Sequence, residues 1–378
     1  MLLMPALLTV GCSRQLDPEA QPAMEQAPIG FSVTAPAATR SVAGTMTLDG
    51  TGANEVSLKD LGFGVFAAHT GLSRYGESDV SADFMYNEQV SYDDAEGWQY
   101  SPQRYWPAGE GLTAETPRYV SFFAYAPYSD ADFTTADQTA NRYADYCISG
   151  FSSAHSFGDP WITYRLLPED VDLSHQVDLL YAKRLDMTKP AADTKVQFQF
   201  GHALSCVGEK VSVGVSADPN SAVRKRLRDL YVAAVSPVSI TLRITSVSIT
   251  YTLTEKGRLV LWNKDGEPNW QPILSEAALI SRTPELTGSL PQTIYTYDGT
   301  HENLSDWTDT GHGVFFIPVE SPDNAQVATI TVGYQVEVTD QAGTMLKDGT
   351  GTVSLPLMSS AEYGKNMDIR VTLADALE

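Results

Sequence analysis

The residues best suited to chemistry lie in one polar stretch, where His301-Glu302, Asp306, Asp309 and His312 follow one another between two β-patterned segments. Carboxylates and imidazoles so grouped could hold a cation. They are also ordinary composition for an acidic, Gly-containing loop, and that is the reading adopted. Asp93-Asp94 with Glu96 is read in the same way. With 47 acidic residues a glycosidase carboxylate pair has room to exist, yet no pair stands out. The sequence has no Gly-x-Ser-x-Gly elbow, no His-Glu-x-x-His helix and no phosphate-binding Gly-rich loop with a Lys. Gly62-Phe-Gly-Val-Phe-Ala67 imitates a dinucleotide fingerprint, but its Phe and Val suit a strand and no strand–helix–strand context follows. Catalysis, a cofactor and a bound metal are therefore not expected. Arg224-Lys-Arg-Leu-Arg228 is an unusual basic run in so acidic a chain. It is read as an exposed helical face that offsets negative charge, with a protease site or a contact to an acidic subunit as alternatives.

The net charge of −22 is shared by both halves, so neither offers the basic footprint that a phosphate backbone needs. Nucleic acid is not expected as a partner. A hydrophobic content of 43% over 378 residues is enough for packed cores in two domains. At the N-terminus, Leu2 to Gly11 is a short apolar run followed by Cys12. It cannot cross a bilayer as a permanent helix and reads as the core of a signal peptide. Gly11-Cys12 resembles the lipobox of bacterial lipoproteins, in which the Cys becomes the lipidated first residue of the mature chain. The resemblance implies lipidation at Cys12 and an exported protein held at a membrane through its lipid alone. Cys147 and Cys206 could pair in an oxidising compartment. Two separate buried thiols are preferred, because nothing in the sequence places them together.

The elements that must position these residues read as strand after strand. Gly62–Phe66 and Arg118–Pro127 are rich in aromatic and β-branched residues, and Lys195–Phe200 alternates with Val196, Phe198 and Phe200 on one face. Ser239–Leu253 alternates too, with a change of parity that predicts a bulge near Thr245-Ser246. Val327–Val338 and Met367–Leu373 complete the set, and Ser221–Ala234 is the best helix candidate. Trp98, Tyr100, Tyr105, Trp106, Phe122 and Tyr125 are expected in cores or cross-strand pairs rather than in a sugar-binding platform. Residues 13–30, with Pro18, Pro22 and Pro28, read as a tether. The stretch Met187–Thr194 looks most like an interior linker. The expected organisation is a signal peptide over 1–12, a tether over 13–30, and two β domains over 31–192 and 193–378. The fold class is all-β, built of antiparallel sandwiches.

Several blocks resemble the fimbrillin-like family of Gram-negative surface lipoproteins, the subunits of type V pili and related candidate adhesins. They are Phe31-Ser-Val-Thr with Thr39-Arg40-Ser; Leu61-Gly-Phe-Gly-Val-Phe-Ala67; Phe84-Met-Tyr-Asn-Glu-Gln-Val90 with Trp98-Gln-Tyr-Ser-Pro102 and Arg104-Tyr-Trp-Pro107; Val120 to Pro127; and Asp178-Leu-Leu-Tyr-Ala182 with Val196 to Ser205. Their order and spacing, from residue 31 to about 205, carry the likeness. The resemblance implies two tandem transthyretin-like β-sandwiches and a place in a fimbrium at the outer membrane or cell surface. It also implies assembly with other pilus subunits by strand exchange: a protease cuts after an Arg near the N-terminus, a strand leaves, and a neighbour's strand fills the groove. Arg40 is the matching residue, with Arg14 as the alternative. The last alternating strand is expected to be used within its own domain, which points to a tip or accessory subunit. A surface glycan-binding lipoprotein, with Trp262, Trp270 and Trp307 stacking on sugars, is the rival reading.

Overall fold

A computed structural model describes residues 27–36, 40, 42–77, 80–107, 118–131, 143–190, 194–234, 239–262, 269–273, 278–319, 325–340, 343–356 and 364–373. Cys12 and Arg14 lie outside them. The chain is all-β with mainly antiparallel sheets.

The first sheet runs in the order Gly201–His202, Leu180–Met187, Tyr119–Ala126, Phe63–Gly71, Met85–Asp93 and Gly97–Gln99. Both of its faces are covered. Phe63, Val65, Ala67, Phe122 and Ala124 join one core with Phe31, Val196 and Phe198. Phe66, Ala68, Phe123 and Tyr125 join another with Ile148, Ile162 and Tyr164. Double burial explains why these strands read as unbroken apolar runs instead of alternating ones. The imitation fingerprint also has its cause here. Gly62, at φ +66, ends the short Leu58–Leu61 helix, and a Cβ on Gly64 would lie 2.4 Å from the Tyr125 ring.

A second sheet is ordered Asn269–Pro272, Lys256–Val260, Trp161–Arg165 and Ile148–Phe151. In a third, Ser205–Val215 pairs with Trp307–Thr310, Val314–Phe316 and, in parallel, Asn366–Leu373. A fourth is built on Ser239–Thr254, flanked by Gln292–Tyr297 and Val327–Asp340, with Gly343–Pro356 beyond. Its register shifts between Ile244 and Ser246, where the change of parity predicted a bulge. The helix forms as Ala222–Ala233.

The boundary expected between 192 and 193 does not coincide with a break in the sheets. Phe31–Thr34 pairs with Val196–Gln199, Leu180–Tyr181 pairs with Gly201–His202, and Trp161–Arg165 pairs with Lys256–Val260. Hydrogen-bonded ladders therefore cross that point, and the larger core draws on both sides of it.

Candidate functional site

Residues 27–36 lie in a groove with alternate side chains turned to a core. Phe31–Thr34 runs parallel to Val196–Gln199, with Phe31 opposite Val196 and Thr34 opposite Gln199. The ladder is closed by Val196 N–H donating to Gly30 O (2.7 Å) and Phe200 N–H donating to Thr34 O (2.8 Å). On the other side, Ile29 N–H donates to Arg104 O (2.9 Å) and Trp106 N–H to Ala27 O (3.0 Å). The Tyr100 hydroxyl and Gln103 Nε2 donate to Ile29 O at 2.9 and 2.8 Å. Alternate residues Ala27, Ile29, Phe31, Val33 and Ala35 all face the smaller core. The blocks that carry the family resemblance thus converge here: Phe31, Phe63, Trp98, Trp106, Phe122 and Phe198 pack into one cluster.

Arg40 anchors the far end of the segment in a buried socket, with 3% of its surface exposed. Its Nη2 donates to Leu204 O at 2.7 Å, its Nη1 lies 3.6 Å from Asp178 Oδ1, and its guanidinium stands 5.8 Å from the Phe315 ring centre. Asp178 is buried too. Its Oδ2 accepts from His202 Nδ1 (2.7 Å) and from Met46 N–H (3.2 Å), and its Oδ1 from Leu179 N–H (2.9 Å). A buried charge must be paired and hydrogen-bonded, and this carboxylate supplies the pairing. A protease acting after Arg40 must therefore first draw this side chain out of its socket. Sequence reasoning singled out Arg40 and missed Asp178 and His202. Their signal was a lone Asp and a lone His at the edges of otherwise apolar blocks.

The polar stretch that could have held a cation separates into structural pairs. Glu302 binds Arg224, Arg228 (2.8 Å) and the Tyr295 hydroxyl (2.8 Å). Asp306 pairs with Arg370 at 3.1 Å. Asp309 holds His312 at 2.7 Å and accepts the amides of Thr287 and Gly288. His301 sits on an Asp298 turn, whose carboxyl is held below its usual range by amides of His301 and Thr300. No grouping suited to a metal occurs among the described residues. The basic run is only half an exposed face: Lys225 and Arg226 are exposed, whereas Arg224 is buried against Glu302 and Ala217 O.

The tryptophans of the rival reading are largely buried. Trp307 is fully buried, and Trp270 is 7% exposed and donates to Ala203 O at 2.9 Å. Trp262 is half-buried, edge-on to Tyr75. The faces of Trp270 and Trp307 fill cores and are not available for stacking on sugars. A cleft of about 640 Å³ lies between Glu169–Gln176, Arg282–Thr287 and Gly311–Gly313. In its wall Asp172 caps Ser174 N–H and Glu169 accepts from Ser281 N–H. Cys147 and Cys206 are both free and buried.

No protein-family model and no curated protein matches the chain. Solved structures do. A candidate cell adhesion protein from Bacteroides uniformis is 14% identical, over 88% of this chain and 99% of that one, with a TM-score of 0.31. One from Bacteroides ovatus is 12% identical over 88% and 96%, with a TM-score of 0.31. A fimbrial protein from Bacteroides ovatus is 13% identical over 92% of this chain and 49% of that one, with a TM-score of 0.30.

Proposed function

We propose that this chain is a fimbrillin-like surface lipoprotein, a tip or accessory subunit of a pilus or an adhesin, that joins other pilus subunits by β-strand exchange. The seat of residues 27–36 supports the reading. A segment that precedes an Arg places alternate side chains in a core, yet is tied to it by one short ladder and one loop. Cutting after Arg40 would free that segment and leave the Val196–Gln199 edge open above an apolar floor. An incoming strand would replace both the backbone bonds and the side chains. Because Arg40 is buried, the cut proceeds through a local opening of the segment.

The tip or accessory role draws support from Asn366–Leu373, which is already engaged along Ser205–Val215. That strand is therefore not spare for donation to a neighbour. Before the cut after Arg40, lipid at Cys12 and the tether over 13–30 hold the uncut chain at the outer membrane, facing the cell surface. Protein trimmed after Arg40 should form mixed complexes with other pilus subunits on native gels. Homopolymeric ladders of the trimmed protein alone would overturn the tip role. Cys12→Ser should leave the membrane fraction, and its retention there would overturn the anchor.

A further inference from the structure

We infer that the groove selects its donor by an aromatic side chain at the place of Phe31, so that its strand partner is a different chain and not a second copy offering the 366–373 strand. The inference rests on the strand-exchange reading and names the partner's chemistry. The Phe31 ring is stacked on Phe198 (5.5 Å, 19°), edge-on to Phe63 (6.2 Å, 79°) and Phe122 (6.0 Å, 82°), and tilted against Tyr100 (5.3 Å, 51°). Ring pairs of this kind depend on planar shape and on the quadrupole, which an aliphatic side chain lacks.

The register is fixed two residues earlier. Ile29 is fully buried, and its carbonyl accepts from Tyr100 and Gln103 while its N–H reaches Arg104. A donor must therefore present an apolar residue there, the aromatic two places on, and a further apolar residue at the place of Val33. Met367, Ile369, Val371 and Leu373 offer only aliphatic side chains, with Asp368 and Arg370 between them. Seated in the groove, they would leave ring-lined space unfilled, and core voids are costly. They are also engaged in their own ladder.

The test starts from the full chain carrying a specific protease site inserted across 37–39, cut after folding. A fluorescent peptide of residues 27–36 is exchanged into the groove and competed by its Phe31→Leu and Phe31→Ala versions and by the 366–373 peptide. The native peptide should enter, Phe31→Leu should compete roughly tenfold more weakly, and Phe31→Ala roughly a hundredfold or more. The 366–373 peptide should not compete at any comparable concentration. If the native peptide enters while Phe31→Leu or 366–373 competes equally well, the selectivity is overturned and strand exchange stands. If the native peptide cannot enter, strand exchange itself fails, and the inference with it. Should the cut chain unfold, amide exchange in the uncut Phe31→Leu variant decides. Residues 31–34 should open roughly tenfold faster than in the native chain, and unchanged exchange would overturn the inference.

Discussion

Phe31 and Arg40 tie the same short segment to the fold by opposite means, one through ring contacts and the other through a buried charge. Phe31→Ala should lower stability by about 3–5 kcal/mol in urea titration, as expected for a fully packed aromatic. Asp178→Ala should cost about 3–5 kcal/mol, because it leaves the Arg40 guanidinium buried without its carboxylate. Replacing Arg40 and Asp178 together by apolar residues should cost less than the single change, and a double-mutant cycle would check this. Tyr100 adds a pH dependence. Burial pushes its hydroxyl up to about 12, whereas an unfolded tyrosine ionises near 10. Its contribution is therefore fully present below pH 10 and lost as the pH rises from there through 12. Amide exchange of residues 27–34 should accelerate in that window, and less so in Tyr100→Phe. Buried Cys147 is likewise pushed up to about 12, so iodoacetamide at pH 8 should label it only after denaturation, as mass spectrometry would show.

Among the elements, alternation revealed those with one covered face. Ser239–Thr254 was legible down to its bulge, and Ala222–Ala233 was legible from its helical stretch. Ser205–Val215 and Gly343–Pro356 were not singled out, because Gly208-Glu209-Lys210 and Gly349-Thr-Gly351 break their patterns. Ser205–Val215 also takes its partners from strands distant in sequence, a cue that local pattern does not carry. The basic run was visible, but its partner Glu302 was assigned to a loop. Its true role is to clamp the helix through side chains one turn apart, Arg224 and Arg228. Glu302→Gln should weaken that clamp by about 1.5–3 kcal/mol and speed amide exchange across 222–233, with the sheets little affected.

For the molecule as a whole, Met187–Thr194 has a linker's composition, and the sequence offered no reason to doubt a boundary there. The reason is spatial: strands from before residue 192 complete sheets with strands from after it. Expressed alone, 31–192 would lack the Val196–Gln199 and Lys256–Val260 partners, and 193–378 would lack Trp161–Arg165. Each half should therefore be poorly folded by circular dichroism, and the two produced together should associate. The site was legible in part. Arg40 and the aromatic blocks could be read along the chain, whereas the Asp178–His202 socket exists only once segments 24 residues apart are brought together.

The parallel pairing of both outer strands has a mechanical consequence. Phe31–Thr34 lies along Val196–Gln199, and Asn366–Leu373 lies along Ser205–Val215, each in the same direction as its partner. Tension applied along such a strand is shared by the rungs of its ladder at once, instead of peeling them one after another. Under fluid drag, a protein held by its N-terminal end would resist extension until a whole ladder slips, and would then yield abruptly.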